Sequence, residues 1–508
     1  MSESLRFSHR PNRAAEIHWR PWGADAFEAA SESGSPVLLA ITAAWCRWCA
    51  LMDETTYSES SVIRLINDYF VPLRVDGDAA PHVQDRYIAG GWPTTAFLTP
   101  TGEVLWSGTF VEAEPFEAAA RAVLAAWSQR RDELTAEIQR RRQALEVERA
   151  QTHEPEPVRR ESVADVLLVL RNTFDARNGG FGHAPKFPVP AAIELGFGPA
   201  LHEEPDRVAM AEHTLDGMLA GDLHDDVDGG FFRYALAPDW TEPRREKLLS
   251  AQAAFLASYA LGASIRDRAD WRGAAESAVR WVETRLSRKD GLWGNSQAAD
   301  PEYFRADAAT RATLEEPPVD LTAYTGANAG WIHALADAGR MLGEPEWSER
   351  AGRGLEALFV TMSAPDDLLF HRVEAPRRPG LLADMVATAR ACNAVARALD
   401  RPQLHEEALR LARAMERQLW ADDNGFLDHA PGDEDVGALR YPDRPFVGNA
   451  EAARLFLELA DITEEAALRD VAERILAVLA PVAGRYGTDA AVFALAAEAY
   501  FRSSRAEG

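Results

Sequence analysis

The sequence of 508 residues predicts an α/β domain followed by a larger all-α domain. The chain is longer than the roughly 250–300 residues at which a single hydrophobic core stops growing. Strand-like and helix-like segments alternate near its start, whereas paired helical patterns fill the remainder. We therefore expect an α/β domain at 1–125, a connecting helix at 126–158 and an all-α domain at 159–508.

The order of elements in the first domain is specific. A strand-like run, "SPVLLAIT", precedes two cysteines separated by two residues, Cys46 and Cys49. A helical segment, a second strand-like run "FVPLRVD" and the segment "GGWPTTAFLTP" follow. This order is typical of the thioredoxin fold, in which a CxxC beside a βαβ pattern indicates redox chemistry. A zinc site would need a second pair of ligands at matching spacing, and the neighbouring sequence offers none.

The position of the two cysteines predicts their roles. Cys46 is expected in the first turn of a helix, where the helix dipole stabilises a thiolate, and Arg47 adds positive charge beside it. Cys46 is therefore the predicted attacking thiol and Cys49 the resolving thiol. We expect Trp45 and Trp48 to shield the pair, so both are candidate substrate-binding residues.

Pro93 is the third candidate catalytic residue. It is expected in the cis form, since only X–Pro bonds adopt cis at low cost, and to place its backbone against the sulfur atoms. Thioredoxin carries a buried acid six residues before its first cysteine, a position that Ala40 holds here. Asp53 could replace that acid, but we expect it to be exposed. The alternative is a thioredoxin-like domain retained as a folding unit without redox activity.

A short signal repeats along the second domain. It consists of an acid or amide, two mostly small or aliphatic residues and an aromatic residue, at Phe181, Phe231, Trp293, Phe370 and Phe426, with a degenerate sixth copy before Phe493. The intervals of about 50 to 77 residues each fit two helices with loops. Five or six helix hairpins that close into a ring form an α/α toroid, and an open solenoid is the alternative.

The segments "AAWCRWCALM", "GGWPTTAFLTPTGEV", "GGFGHAPKFPVP" and "DDVDGGFFRYALAPDW" resemble the family that includes spermatogenesis-associated protein 20 and bacterial YyaL. The resemblance implies a thioredoxin-like domain followed by an (α/α)6 toroid of the six-hairpin glycosidase type. It implies no settled activity. The family's redox motif usually reads Cys-His-Trp-Cys-His, and here Arg47 and Ala50 replace both histidines.

The loops of the second domain supply candidate ligand contacts. A glycosidase needs two carboxylates across its sugar, for which Asp228 and Glu246 are candidates, and an aromatic face such as Trp240. His183 is a candidate for proton transfer, although satisfied loop histidines are common. With 80 acidic residues in the chain, carboxylates in loops are also expected by chance.

Three further side chains carry structural expectations. Lys186 is expected to be a solvated loop charge, and Phe187 to plug the toroid. Cys392, at helical spacing with apolar neighbours, is expected to be a buried, inert thiol.

Composition narrows the function. A net charge of −26 argues against a nucleic-acid partner. The sequence shows no apolar run long enough to span a membrane and no secretory signal at its start, so a cytoplasmic location is predicted. We predict no metal or cofactor, and a protein disulfide client or a small molecule as partner.

The predicted function is thiol–disulfide exchange. The alternatives are a carbohydrate-active enzyme (a glycoside hydrolase or an epimerase) that uses the toroid loops, and a non-catalytic scaffold.

Overall fold

The structure is a computed structural model, and it describes residues 5–152, 155–198, 205–374, 377–421, 425–432, 435–441 and 443–503. The chain divides into two compact units. The first comprises Met1–Gln151 and Pro431–Asp443, and the second comprises Thr152–Ala430 and Arg444–Gly508.

The first unit alternates helices and strands as the sequence predicts. In chain order its elements are α1 (Ala24–Ser33), β1 (Val37–Thr42), α2 (Arg47–Glu54), α3 (Ser60–Tyr69), β2 (Val71–Asp76), α4 (Pro81–Tyr87), β3 (Thr94–Leu98), β4 (Val104–Gly108) and α5 (Ala113–Thr152).

The four strands form one mixed sheet in the order β2-β1-β3-β4. Strand β1 runs parallel to β2 and antiparallel to β3, which is antiparallel to β4. Every residue of β1 is buried, and its side chains alternate between the two apolar clusters that cover the two faces of the sheet. The predicted thioredoxin-like fold is confirmed.

Helix α5 contains most of the predicted connecting segment. It begins at Ala113, well before residue 126, and departs from helical geometry once, at Arg130 (φ −135°). The structure assigns this helix, up to Gln151, to the first unit rather than to a separate connection.

The first unit also contains a segment from far along the chain, Pro431–Asp443, which we call the returning segment. Its Leu439 is buried in the same apolar cluster as β1. The hydroxyl of Tyr87 donates a hydrogen bond to the carbonyl of Gly102 (2.8 Å) and accepts one from the amide of Ala438 (2.7 Å). The predicted continuous second domain, 159–508, is therefore interrupted by residues that complete the first.

The second unit consists mainly of helices joined by loops. Its helices are α6 (Arg160–Thr173), α7 (Pro190–Gly196), α8 (Pro205–Ala220), α9 (Leu249–Arg266), α10 (Ala269–Arg285), α11 (Pro301–Arg305), α12 (Ala308–Arg311), α13 (Thr325–Leu342), α14 (Pro345–Met362), α15 (Leu382–Leu399), α16 (Gln403–Gln418), α17 (Phe446–Thr463), α18 (Ala466–Leu479) and α19 (Ala491–Ser503). Its short strands, all in loops, are β5 (Tyr234–Ala235), β6 (Pro243–Arg244), β7 (Lys247–Leu248), β8 (Ser296–Gln297) and β9 (Val319–Asp320).

Six helices form a closed inner ring. Helices α7, α9, α13, α15, α17 and α19 each pack on the next, and α19 packs on α7. The outer helices α8, α10, α14, α16, α18 and α6 pack against this ring. Because the ring closes, the second unit is an (α/α)6 toroid, as predicted, and not an open solenoid.

The repeated aromatic signal marks the turns between hairpins. An isolated antiparallel bridge closes each turn, at Phe174–Phe181, His224–Phe231, Ser287–Trp293, Ser363–Leu369 and Trp420–Phe426. Four of the five predicted aromatic residues occupy this position. In the fourth turn Leu369 occupies it in place of Phe370, so the predicted register was displaced by one residue.

Candidate functional sites

The two cysteines lie at the start of α2. Cys46 is the N-cap residue of this helix, and its Sγ accepts a hydrogen bond from the backbone amide of Cys49 (3.1 Å). A disulfide joins the two residues, whose Cα atoms are 5.3 Å apart. Both side chains are buried. This position would favour a thiolate after reduction.

The neighbouring tryptophans have different environments. Trp45 is buried, donates a hydrogen bond from Nε1 to Asp78 (2.8 Å) and packs on Trp92 with ring centroids 5.2 Å apart. Trp48 is 42% exposed and lies against Phe110, also at 5.2 Å. Trp45 is therefore held in place beside Cys46, whereas Trp48 is partly exposed to solvent.

The Trp92–Pro93 peptide bond is cis, as the sequence predicts, and Pro93 is buried. Pro93 directly precedes β3, whose Thr94 pairs with Ile41 near the end of β1. The chain passes from that same end of β1 to Cys46. The proline loop and the cysteine loop consequently lie at one edge of the sheet.

We expected Asp53 to be exposed, but it is buried. Its carboxylate is buried and accepts two hydrogen bonds of 2.8 Å from the guanidinium of Arg74 on β2, and one of 2.9 Å from the amide of Ser8. Burial raises the pKa of the Asp53 carboxyl group, and the charge of Arg74 opposes that rise. The pair fastens the cysteine-bearing helix to the sheet.

Arg47 has a partner of its own. Its guanidinium donates a hydrogen bond to the carboxylate of Glu54 (3.1 Å), so the pair joins the first and last residues of α2. The positive charge that we expected beside Cys46 is thus partly neutralised, and the helix N-terminus is left as the main electrostatic support for a thiolate.

The two acids predicted in the toroid loops have different arginine partners. Asp228 accepts a hydrogen bond from Arg311 (2.8 Å), whereas Glu246 is buried with Arg233 at 3.4 Å. Burial raises the pKa of Glu246. Neither side chain lines the central cavity described below.

A fully buried lysine, missed in the sequence, lies beside these acids. The ammonium group of Lys247 donates to Asp225 (2.7 Å) and to the carbonyl of Gly229 (2.6 Å). Burial lowers the pKa of Lys247 to about 8. Lys247 thus links β7 to the loop that contains Asp225 and Gly229.

The other predicted loop contacts also have structural surroundings. Trp240 is fully buried and donates from Nε1 to the carbonyl of Asn178 (3.0 Å), so no face of its ring is open to a sugar. His183 is exposed and lies outside the lining of the central cavity.

Two of the three remaining expectations were wrong. Lys186 is fully buried and donates to Asp175 (2.6 Å) and to the carbonyl of Pro238 (2.7 Å). Phe187 is nearly half exposed and stacks on Tyr234 rather than plugging the toroid. Cys392 is buried as predicted, and burial raises the pKa of its thiol well above the usual range.

The toroid encloses a cavity of about 720 Å³. Its lining comes from all six inner helices, and in α9, α13, α15 and α17 it begins at least one turn after the helix start. The lining carries His333, five arginines and five carboxylates: Arg340, Arg390, Arg397, Arg454 and Arg502, with Glu194, Asp337, Glu458, Asp461 and Glu498. This cavity inside the ring is a candidate ligand site that the sequence analysis did not include.

Ion pairs connect the walls of this cavity. Arg454 on α17 binds Glu194 on α7 through contacts of 2.5 and 3.3 Å. Burial opposes ionisation of Glu194, but the charges of Arg454 and Arg390 prevail and lower its pKa. The walls thus carry fixed, ionised groups in contact with open space.

A second pair lies along α13. Nε2 of His333 lies 3.3 Å from Oδ2 of Asp337. Burial opposes ionisation of Asp337, but the hydrogen bond and charge of His333, with the charge of Arg397, lower its pKa to about 2. Asp337 is therefore ionised at neutral pH.

The sequence contained a signal for this cavity. His333, Asp337 and Arg340 recur at spacings of four and three in the otherwise apolar segment "GWIHALADAGRML", and Arg454, Glu458 and Asp461 repeat that spacing in α17. A charged stripe on an apolar helix must face water or other charges. In a closed ring of such helices, the stripes face the centre.

The described part of the chain contains neither a membrane-spanning helix nor a metal-binding group of side chains. No helix there is long and apolar enough to cross a bilayer. No group of three or more histidine, cysteine, aspartate or glutamate side chains among those residues could hold a metal ion.

The fold and the two sites define a two-part architecture: a thioredoxin-like domain with a CxxC at a helix start, and an (α/α)6 toroid with a charged central cavity. Residues 7–146 match the model of a thioredoxin-like family described as "Protein of unknown function, DUF255".

The resemblance found in the sequence is confirmed by curated relatives. The chain is 28% identical to spermatogenesis-associated protein 20 of Homo sapiens over 307 residues, which covers 56% of this chain and 39% of that protein. It is 28% identical over 306 residues to the uncharacterised protein B0495.5 of Caenorhabditis elegans, covering 56% of this chain and 41% of the relative. The match thus spans about two fifths of the length of these relatives.

Solved structures share the toroid fold. Cellobiose 2-epimerase of Bacillus thermoamylovorans has a TM-score of 0.51 at 12% identity, covering 62% of this chain and 84% of that one. Cellobiose 2-epimerase of Spirochaeta thermophila has a TM-score of 0.50 at 20% identity, covering 62% and 83%. A D-mannose isomerase has a TM-score of 0.50 at 14% identity, covering 63% and 83%. These similarities establish the fold of the second unit.

Proposed function

We propose that the protein carries out thiol–disulfide exchange at Cys46 and Cys49. The observation that supports this most directly is the N-cap position of Cys46, whose Sγ accepts the Cys49 amide while bonded to the Cys49 sulfur. The cis Pro93 at the same edge of the sheet and the half-exposed Trp48 supply a surface for a client protein. In a reducing cytoplasm, the location predicted from the sequence, the pair would act as a reductant.

The exchange follows from the two sulfur positions. The Cys46 thiolate attacks one sulfur of a client disulfide, forms a mixed disulfide and releases the other client sulfur as a thiolate. The Cys49 thiolate then attacks Sγ of Cys46, which releases the reduced client and leaves the Cys46–Cys49 disulfide. Two electrons pass to the client. Two molecules of a low-molecular-weight thiol such as glutathione then return the pair to its reduced form and are themselves joined in a disulfide.

Glutathione titration tests this proposal. We expect reversible formation of the Cys46–Cys49 disulfide, measured by mass spectrometry of alkylated protein over a series of glutathione ratios. Cys46→Ser should abolish reduction of a disulfide-bonded test peptide, and Cys49→Ser should accumulate the mixed disulfide. Cys392→Ser is the matched control and should react like the unmodified protein. If no glutathione ratio converts the pair reversibly, the proposal is wrong.

A second candidate function concerns the toroid. We propose that its central cavity holds a small polar molecule, as in a carbohydrate-active enzyme. The supporting observation is the cavity itself, whose volume lies within the roughly 300–1,000 Å³ usual for ligand pockets. The shared fold with epimerases and an isomerase is consistent with this function.

This second candidate is tested by incubating the protein with D-mannose, D-glucose and cellobiose. Proton NMR would detect a new anomeric signal from epimerisation, isomerisation or hydrolysis. If none of these sugars reacts or binds, the carbohydrate-active function is excluded for them, while the thiol-exchange proposal is unaffected.

A further inference from the structure

We infer that the central cavity recognises an uncharged, polyhydroxylated molecule of monosaccharide size, held between the Glu194–Arg454 and His333–Asp337 pairs and an apolar wall on α9. This inference rests on the second candidate function, that the cavity holds a ligand. It adds the chemical class of that ligand and the groups that select it.

Charge balance within the cavity is the first argument. The lining has as many arginines as carboxylates, and Arg390, Arg397 and Arg454 already have acidic partners. Arg454 binds Glu194 and lies 3.5 Å from Glu451, whose other partner is Arg390. A buried charge needs its partner, so an anionic ligand would have to displace a carboxylate from an arginine, and a cationic one would have to displace the arginine. An uncharged ligand avoids both costs.

The orientation of the polar groups is the second argument. Glu194 lies deep in the protein, yet 43% of its side chain is exposed because it faces the open cavity. About a quarter of each side chain is likewise exposed for His333 (24%) and Asp337 (23%). These groups therefore keep hydrogen-bonding capacity beyond their ion pairs, which ligand hydroxyls can use.

One acceptor is left unused. The Oδ1 atom of Asp337 is buried and accepts no hydrogen bond among the described residues. Arg397 and Arg340 lie 3.7 and 3.8 Å from it, too far for a hydrogen bond. Buried carboxylate oxygens normally have a donor. Asp337 thus keeps one carboxylate oxygen without a donor beside two arginine charges.

The opposite character of α9 is the third argument. Its cavity-facing residues include Ala254, Ala257 and Leu261, spaced by three and four positions so that they form one apolar strip. A sugar or polyol presents C–H groups as well as hydroxyls, and the C–H groups can pack on such a strip. Phe197 is the one aromatic residue among the described lining residues, so there is no stacked pair of rings to hold an extended saccharide. Volume and lining together favour a single sugar unit.

The experiment compares uncharged and charged probes of one size. D-Mannose and mannitol are the uncharged probes, and D-mannose 6-phosphate and gluconate are the anionic probes. Binding to the full chain is measured by the shift in melting temperature and by saturation-transfer NMR, since a ligand of the native state raises the melting temperature. We expect the uncharged probes to bind and the anionic probes to bind at least about tenfold more weakly.

Glu194→Gln gives the matched perturbation. It removes the charge that neutralises Arg454 while keeping the side chain's shape, so selectivity should shift at least about tenfold toward D-mannose 6-phosphate. Glu212→Gln, which breaks the ion pair with Arg266 outside the cavity, should leave selectivity unchanged. Ala257→Leu fills the cavity on its apolar side and should abolish binding of every probe, with the helical circular dichroism retained. This variant keeps the test decisive if Glu194→Gln does not fold.

The outcomes are distinguishable. Stronger binding of the anionic probes to the unmodified protein would overturn the ligand class but leave the cavity as a ligand site. No binding of any probe would overturn both this inference and the second candidate function. Neither result would affect thiol exchange, which is measured separately at Cys46.

Discussion

Replacing Gly437 with alanine should disrupt the packing of the returning segment against the rest of the first unit. A Cβ atom there would lie 2.6 Å from the hydroxyl of Tyr87, 3.1 Å from Trp22 and 3.3 Å from Phe27. Gly437 also has a φ of +59°, which L-residues other than glycine rarely adopt. We therefore expect Gly437→Ala to detach the segment from the core of the first unit.

The magnitude follows from two contributions. An alanine in left-handed geometry costs about 1–2 kcal/mol. Displacing the Tyr87 hydroxyl breaks its hydrogen bonds to the Gly102 carbonyl and from the Ala438 amide, at about 0.5–1.5 kcal/mol each. The free energy that holds the segment should thus fall by about 2–5 kcal/mol, which corresponds to a rise of roughly 30-fold to a few thousand-fold in amide exchange rates.

Hydrogen exchange detected by mass spectrometry measures this effect in peptides that contain Ala438 and Tyr87. The matched control is Gly90→Ala in the same unit, where φ is +87° but no atom lies within 4 Å of the added carbon. That variant should show only the backbone cost of about 1–2 kcal/mol. If Gly437→Ala accelerates exchange no more than Gly90→Ala does, the packing of the segment against Tyr87 is refuted.

Three further predictions concern charged or ionisable side chains. Asp53→Asn leaves the Arg74 guanidinium buried without its carboxylate and should destabilise the first unit by about 3–5 kcal/mol in urea unfolding, whereas adding Arg74→Met should recover much of that loss. Asp337→Asn should lower stability at pH 7 by about 2 kcal/mol, because the folded-state pKa of about 2 lies below the ordinary 3.8. The difference in unfolding free energy between the unmodified protein and Asp337→Asn should be present above pH 4 and vanish as the pH falls toward 2. An unchanged difference at pH 2 would contradict the prediction. Cys392 should remain unalkylated by iodoacetamide in the folded, reduced protein at pH 8, when mass spectrometry already shows full alkylation of Cys46.

Local patterns were sufficient to predict the thioredoxin-like fold. The apolar run of β1, the CxxC directly after it and the Trp-Pro pair before β3 each occupy a few consecutive residues. The toroid was predictable for a similar reason, since its turn signal repeats locally. The displaced fourth turn shows the limit: Leu369 and Phe370 are both apolar, and only the bridge to Ser363 determines which of them faces inward.

Buried charges could not be predicted locally. Asp53 and Lys186 are buried in ion pairs with Arg74 and Asp175, which lie 21 and 11 residues away, and no periodic pattern in the sequence indicates such a pair. The same holds for the Glu194–Arg454 pair of the cavity, which joins two helices. Its charged stripe on α13 was visible, however, and a search for charges at helical spacing within apolar helices would have found it.

The returning segment also has a consequence for how the protein is made. The ribosome completes Asp443 about 290 residues after Gln151, which at about 5–20 residues per second means a delay of roughly 15–60 s. During that interval the apolar cluster that receives Leu439 is still open, although every other part of the first unit has already been synthesised. The thioredoxin-like unit therefore reaches its native form only after most of the toroid has been translated, and a nascent chain stalled before residue 431 should present that open surface to chaperones.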